Sequence, residues 1–249
     1  MRHRPIVDPL ARLATRCATS ALDWLCPPAC VLCTALGAML CKACRVDATA
    51  RVAHACPRCA IALPAQARMP VCGRCQRRRP AFDRTLAAAW YAPPFDRLIQ
   101  GLKYGATLAY APLLADLLHG RVITADIPHF FDVVLPVPLS RGRMAERGFN
   151  QSIEIGRILA DRLDRPLDTR SVLRIVDTSP QAALPFDARR RNIRGAFSVI
   201  DGCRHTLVGS HVAIVDDVMT TGATLDELAR TLKRAGVAAV TCLVVARTP

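Results

Sequence analysis

Val212-Ala213-Ile214-Val215-Asp216-Asp217-Val218-Met219-Thr220-Thr221-Gly222-Ala223-Thr224 decides how this chain is read. The β-branched apolar run from His211 to Val215 has the composition of a strand buried on both faces, and it ends in two adjacent carboxylates. Thr220 to Thr224 then opens a helix whose apolar stripe is Leu225, Leu228, Ala229 and Leu232, closed by Gly236. In open α/β sheets ligands gather at the carboxyl ends of strands. The first amides of a helix lack internal partners and carry the positive end of its dipole. Hydroxyls and amides around one glycine therefore form a cradle suited to phosphate. The acid pair suits a ribose diol or a divalent metal. Phosphate cradle and acid pair together imply a phosphorylated sugar. An ordinary strand running into a capped helix needs neither two carboxylates nor three threonines.

Earlier in the chain, Thr85 to Tyr91 reads as a strand. Pro94 to Lys103 is helical, with Phe95, Leu98, Ile99 and Leu102 on one face, and Tyr104-Gly105 breaks it. A second helix, roughly 107 to 120, carries a ridge of Leu113, Leu114, Leu117 and Leu118. Asp132 to Pro138 is a short strand. Residues 139 to 149 lack core periodicity and read as a mobile basic loop. Asn150-Gln151-Ser152 closes that loop and caps a helix bearing Ile155, Ile158, Leu159 and Leu163. This alternation predicts an α/β fold with a mainly parallel sheet covered on both faces. Cys242, inside Val240 to Ala246, is expected to be a buried apolar thiol.

The 249 residues suffice for one good core and a small accessory domain. No apolar run reaches the roughly 18 residues of a membrane span. Met1 to Pro5 has the positive start of a signal peptide, but Asp8, Arg12 and Arg16 interrupt the apolar stretch that should follow. The expectation is a cytoplasmic protein. The net charge is +14, and 31 of 34 basic residues are arginine, which favours anionic partners, nucleic acid or phosphorylated substrate alike.

Nine of the twelve cysteines lie between Cys26 and Cys75. They include four Cys-x-x-Cys pairs: Cys30/Cys33, Cys41/Cys44, Cys56/Cys59 and Cys72/Cys75. Two such pairs across a short interval make a tetrahedral zinc site, so eight thiolates hold one or two structural zinc ions. A disulfide framework is the competing reading, disfavoured without a signal peptide. Thr34, Arg45, Ala60 and Gln76 stand where zinc knuckles usually place glycine. Sequential pairing is expected; interleaved pairing and a role for Cys26 stay open. Gln76 to Pro80 reads as a linker. The expected organisation is an N-terminal helical segment over 1–25, a zinc-ribbon domain over 26–79 and the α/β domain over 82–249.

The pattern of four apolar residues, two acids, two apolar residues and Thr-Thr-Gly-x-Thr resembles the ribose-phosphate signature of type I phosphoribosyltransferases. Leu102-Lys103-Tyr104-Gly105, Pro136-Val137-Pro138, Arg147-Gly148-Phe149-Asn150-Gln151 and Gln181 through Arg189, Asn192 and Ala196-Phe197 follow in order. With the cysteine array, the chain from about Leu22 to Thr248 resembles the ComF family of phosphoribosyltransferase-like competence proteins. The resemblance implies that Asp216 and Asp217 hold the ribose hydroxyls of phosphoribosyl pyrophosphate (PRPP). It implies that Thr220, Thr221, Gly222, Ala223 and Thr224 bind its 5′-phosphate, with Mg²⁺ accompanying the ligand. Lys103, Tyr104 and Gly105 would meet the pyrophosphate, under a loop carrying Arg141, Arg143 and Arg147; Arg189 and Asn192 match the family pattern as well. Two functions follow. One is a phosphoribosyltransferase with an unidentified acceptor nitrogen, acting in DNA uptake. The other is a non-catalytic module that handles single-stranded DNA and uses the pocket as a regulatory or nucleotide-end site. Implied partners are PRPP, single-stranded DNA and proteins of the competence machinery.

Overall fold

The computed structural model describes residues 27–50, 52, 54–67, 69–125, 131–177 and 193–249. They fall into two compact units that divide between Val46 and Asp47, inside the segment expected to form one cysteine-rich domain.

In the smaller unit, an antiparallel bridge joins Ala29 and Leu36. The Thr34 N–H donates to the Cys30 carbonyl at 2.7 Å, closing a knuckle, and Cys44 lies on helix α1 (Lys42–Ala50). The larger unit begins with a similar device. Ala55 bridges Ala62, the Ala60 N–H donates to the Cys56 carbonyl at 2.8 Å, and Cys75 lies on helix α2 (Gly73–Arg77). Thr34 and Ala60 have φ of 64° and 52°, so both take the left-handed conformation that usually selects glycine, at a cost of roughly 1–2 kcal/mol each. Arg45 and Gln76 are helical, and need no glycine.

Next come β1 (Arg84–Trp90), α3 (Asp96–Tyr104), α4 (Tyr110–Ile123), β2 (Val133–Pro136), α5 (Arg141–Arg147) and α6 (Gln151–Arg162). After them run β3 (Val172–Arg174), β4 (Phe197–Val199), α7 (Arg204–Leu207), β5 (His211–Met219), α8 (Ala223–Arg234) and β6 (Ala239–Arg247). The main sheet has the order β1-β6-β5-β2 with every pairing parallel, and β3 and β4 form a separate antiparallel pair. Helices α4 and α6 pack together against the sheet, with Leu114, Leu118, Ile155 and Leu159 fully buried. On α8, Leu225, Leu228 and Leu232 bury against the sheet and β4. Each such side chain contributes roughly 1.5–3 kcal/mol. Cys242 is buried in β6, and burial pushes its thiol well above the usual range.

Three local expectations change. Residues 141–147 are a helix, not a mobile loop; Gly148, at φ 75°, ends it by donating its N–H to the Met144 carbonyl at 2.8 Å. None of the residues in α5 is buried, which is why the sequence shows no core period there. Strand β5 does not stop at Val215. It stays in register with β6 through Asp216↔Val244 to Met219↔Arg247, which leaves only Thr220 to Gly222 as the turn into α8. The expected linker is not a free spacer either. Gln76 and Arg77 belong to α2, and the Ala81 N–H donates to Asp226 Oδ1 on α8 at 2.7 Å. Among the described residues no helix is long and apolar enough to cross a membrane.

Candidate functional site

The carboxyl end of β5 delivers both acids, and two helices converge on them. Lys103, in the last turn of α3, places Nζ 2.7 Å from Asp217 Oδ2. Ser152, in the first turn of α6, donates its hydroxyl to Asp216 Oδ1 at 3.1 Å. The backbone completes the arrangement: the Asp217 N–H donates to Asp216 Oδ1 at 2.9 Å and the Val218 N–H to Asp217 Oδ1 at 2.8 Å. The start of α6 is itself pinned, because Asn150 Oδ1 accepts from the Ser152 N–H and its Nδ2 donates to the Val137 carbonyl. The cap expected at Asn150 is therefore also what aims Ser152 at the site.

The two carboxyls differ in character. Burial pushes Asp216 up to about 7, reinforced by the charge of Asp217 and only partly offset by Lys103. Burial works against Asp217 too, but the Lys103 ammonium outweighs it and holds this carboxyl below its ordinary value. Burial would lower Lys103, and the attraction of Asp217 overrides it, keeping the ammonium above its usual range. One fixed carboxylate thus lies beside one that titrates near neutrality.

Beyond Met219 the chain turns sharply. Gly222 has φ 78°, a left-handed position that calls for glycine, and a Cβ there would displace the flexible end of Met219, whose Cε would stand 2.6 Å away. The Ala223 N–H donates to Thr221 Oγ1 at 3.2 Å, Thr220 is exposed, and α8 starts at Ala223 with Thr224 in its first turn. The Thr221 carbonyl accepts a hydrogen bond from Arg74 of α2. The turn brings hydroxyls and the positive end of α8 beside the acid pair, a setting for an anion.

The basic residues separate into groups. Tyr104 is 75% exposed with the Arg147 guanidinium 5.4 Å above its ring, and Arg147 also donates to Gln151 Oε1 at 3.0 Å. The Gly105 N–H caps α3 on the Gly101 carbonyl. Arg141 lines a cavity of about 450 Å³ beside the end of β2, together with Asn150, Arg174 and Asp177. Arg174 is 8% exposed, and burial followed by the charge of Arg143 holds its guanidinium below the usual range. Arg189, Asn192 and Cys26 lie outside the described residues. Sequence reasoning missed Ser152 as a partner of the acid pair, Arg174 and Arg74. The capping sequence signalled Ser152; nothing local marks the two arginines.

The thiols gather sequentially. Cys30, Cys33, Cys41 and Cys44 form one group and Cys56, Cys59, Cys72 and Cys75 another, with every pair of sulfurs in a group within 4.8 Å. Cys33 Sγ and Cys41 Sγ are 3.6 Å apart, as are Cys59 Sγ and Cys72 Sγ. Four thiolates about 2.3 Å from one zinc at tetrahedral angles lie about 3.8 Å from each other, whereas a disulfide would bring two sulfurs to about 2.0 Å. Backbone amides also point at sulfur: the Cys41 N–H at Cys30 Sγ and the Cys72 N–H at Cys56 Sγ, both 3.4 Å. Both groups fit a structural Cys₄ zinc site with no position left for water.

A parallel sheet whose strand end presents an acid pair beside a Thr-Thr-Gly-x-Thr helix start defines a phosphoribosyltransferase-type domain, and the phosphoribosyl transferase domain model matches residues 150–249. The "DNA utilization protein YhgH" of Escherichia coli (strain K12) is 37% identical over 199 residues, 78% of this chain and 84% of that protein. "Competence protein F" of Haemophilus influenzae is 34% identical over 169 residues, 67% and 73% of the two chains. This chain belongs to the ComF family. A solved glutamine PRPP amidotransferase from B. subtilis covers 53% of it at 19% identity with a TM-score of 0.36, too distant to add to that.

Proposed function

We propose that this protein binds Mg²⁺-PRPP at the carboxyl end of β5 and transfers the phosphoribosyl group to an acceptor nitrogen, in the cytoplasmic handling of incoming DNA. The observation that carries the reading is the Lys103–Asp217–Asp216–Ser152 chain beside the glycine turn at Thr220 to Thr224. Asp216 and Asp217 accept hydrogen bonds from the ribose 2′- and 3′-hydroxyls, and residues 220–224 hold the 5′-phosphate through hydroxyls and amides. In the reaction the acceptor nitrogen bonds to the ribose C1 while the C1–oxygen bond to pyrophosphate breaks, and the acceptor proton passes to solvent base. Positive charge develops on the ribose ring and negative charge on the leaving group. The acid pair lies on the side of the first. Lys103, Tyr104, Gly105 and the arginines of α5, Arg141, Arg143 and Arg147, serve the second, as preorganised donors act on developing charge. Mg²⁺ bound with PRPP would shield the charge of its pyrophosphate. Arg189 and Asn192 belong to the same proposed site on the family pattern alone.

The names of the relatives, DNA utilization and competence proteins, support a role in DNA uptake. The net charge of +14 and the exposed basic helix α5 support direct contact with single-stranded DNA, with competence-machinery proteins as further partners. Calorimetric titration with PRPP, with and without Mg²⁺, tests the enzyme reading: saturable, Mg²⁺-dependent binding is expected in the wild type and its loss in Asp217→Asn. No binding by a folded, zinc-loaded sample refutes that reading and leaves the DNA module. Binding of a single-stranded oligonucleotide should weaken steeply with salt, as phosphate contacts release counterions.

A further inference from the structure

The second cysteine group is built onto the turn that follows β5, within the same compact unit. Arg74 lies between the ligands Cys72 and Cys75, and its guanidinium donates to the Thr221 carbonyl. Arg247, 2% exposed at the end of β6, donates from Nε to the Cys59 carbonyl at 2.9 Å and from one terminal nitrogen to the Met219 carbonyl at 3.0 Å. One cation therefore ties the first cysteine pair to the residue just before the turn. The other ties the second pair to the turn itself. Cys56, Cys59 and Cys75 also share an apolar cluster with Phe82, Met219 and Ala223, so the connection is packed as well as hydrogen-bonded.

The Thr221 carbonyl matters because of peptide geometry. In a planar trans peptide the C=O and the following N–H point in opposite directions. A carbonyl held by Arg74 sends the Gly222 N–H to the other side of the turn. An anion cradle works only while its amides face the ligand and its carbonyls face away. At Gly222, with no Cβ to restrain it, that peptide plane is the one most able to rotate. Electrostatics point the same way. Zinc on four thiolates would be net anionic, and Arg247 and Arg74 lie against the segments that carry those thiols. Metal loading would thus place a counter-charge beside both guanidinium groups.

We propose that Arg74 is a positioning residue for the turn at Thr220 to Thr224, and that the metal-loaded second cysteine group is its anchor, so that affinity for a sugar 5′-phosphate depends on that zinc site. The inference rests on reading the turn as a 5′-phosphate cradle. The test uses the full-length, zinc-loaded chain and titrates ribose 5-phosphate and Mg²⁺-pyrophosphate separately into wild type, Arg74→Gln and Arg74→Lys. Loss of one charged hydrogen bond predicts a ten- to hundred-fold weaker ribose 5-phosphate affinity in Arg74→Gln, roughly, with part of it restored in Arg74→Lys. Mg²⁺-pyrophosphate binding and zinc content should be unchanged, and amide exchange at Gly222 and Ala223 should accelerate. Zinc removal by chelation should weaken ribose 5-phosphate binding in the wild type. Equal loss of both ligands in Arg74→Gln, or no loss of either, overturns the inference while leaving the cradle intact. Failure of wild type to bind ribose 5-phosphate overturns the cradle reading, and this inference with it.

Discussion

Asp216→Asn should make the ligand-free protein more stable above neutrality while destroying the ligand site. Asp216 Oδ1 accepts from the Ser152 hydroxyl and the Asp217 N–H, and an asparagine Oδ1 keeps both bonds. What disappears is a carboxyl whose pKa rises from 3.8 unfolded to about 7 folded, first through burial and then through the neighbouring Asp217. A carboxyl raised on folding stabilises the folded state fully below its unfolded pKa, and loses that contribution as pH rises through the folded value. At about 1.4 kcal/mol per unit, holding Asp216 ionised at pH 8 costs at most about 4 kcal/mol, which the amide does not incur. From about pH 5.5 to about pH 8 the advantage of the variant over wild type should grow by about 2 kcal/mol. Denaturant unfolding of both zinc-loaded, ligand-free proteins at the two pH values measures it. Zinc release by acid affects both proteins alike and cancels in the difference. A difference that is flat, or that shrinks as pH rises, refutes the assignment of a raised pKa to Asp216. Calorimetry on the same variant should show loss of Mg²⁺-PRPP binding.

Lys103→Met strands Asp217 without its cation and should destabilise the protein by about 3–5 kcal/mol at neutral pH, less in acid, as read by urea unfolding. Equal destabilisation at about pH 5 and about pH 8 would contradict it. Gly222→Ala forces a side chain into a left-handed position and against Met219 Cε; a loss of about 1–3 kcal/mol in thermal unfolding, with weakened sugar-phosphate binding, is expected. Metal analysis should find two zinc ions per wild-type chain and one in Cys75→Ser, since the groups draw on separate ligands. Unchanged zinc content in Cys75→Ser would break the proposed pairing.

Much of the sheet was legible because its determinants are local. The apolar run at Val212 to Val215, the stripe of α8 and the Asn150 cap each announce themselves within a few residues. The acid pair and the Thr-Thr-Gly-x-Thr turn were equally plain, because their chemistry is confined to nine residues. Residues 141–147 misled for a physical reason: a helix that buries nothing writes no period into its sequence. The length of β5 was hidden as well, since pairing with β6, not composition, carries the strand through two carboxylates.

The α/β class, the family resemblance, the eight thiols and the acid pair could all be read from residue type and short spacing. The folded chain was needed to show which thiols share a group, that Lys103 and Ser152 meet different carboxyls of one pair, and that the division between units falls between the two cysteine groups. It also shows that Arg74 reaches Thr221 across 147 positions of sequence. Such contacts depend on where the chain returns in space, and burial beside particular neighbours sets the charge of each group. Neither is written in any local stretch of residues.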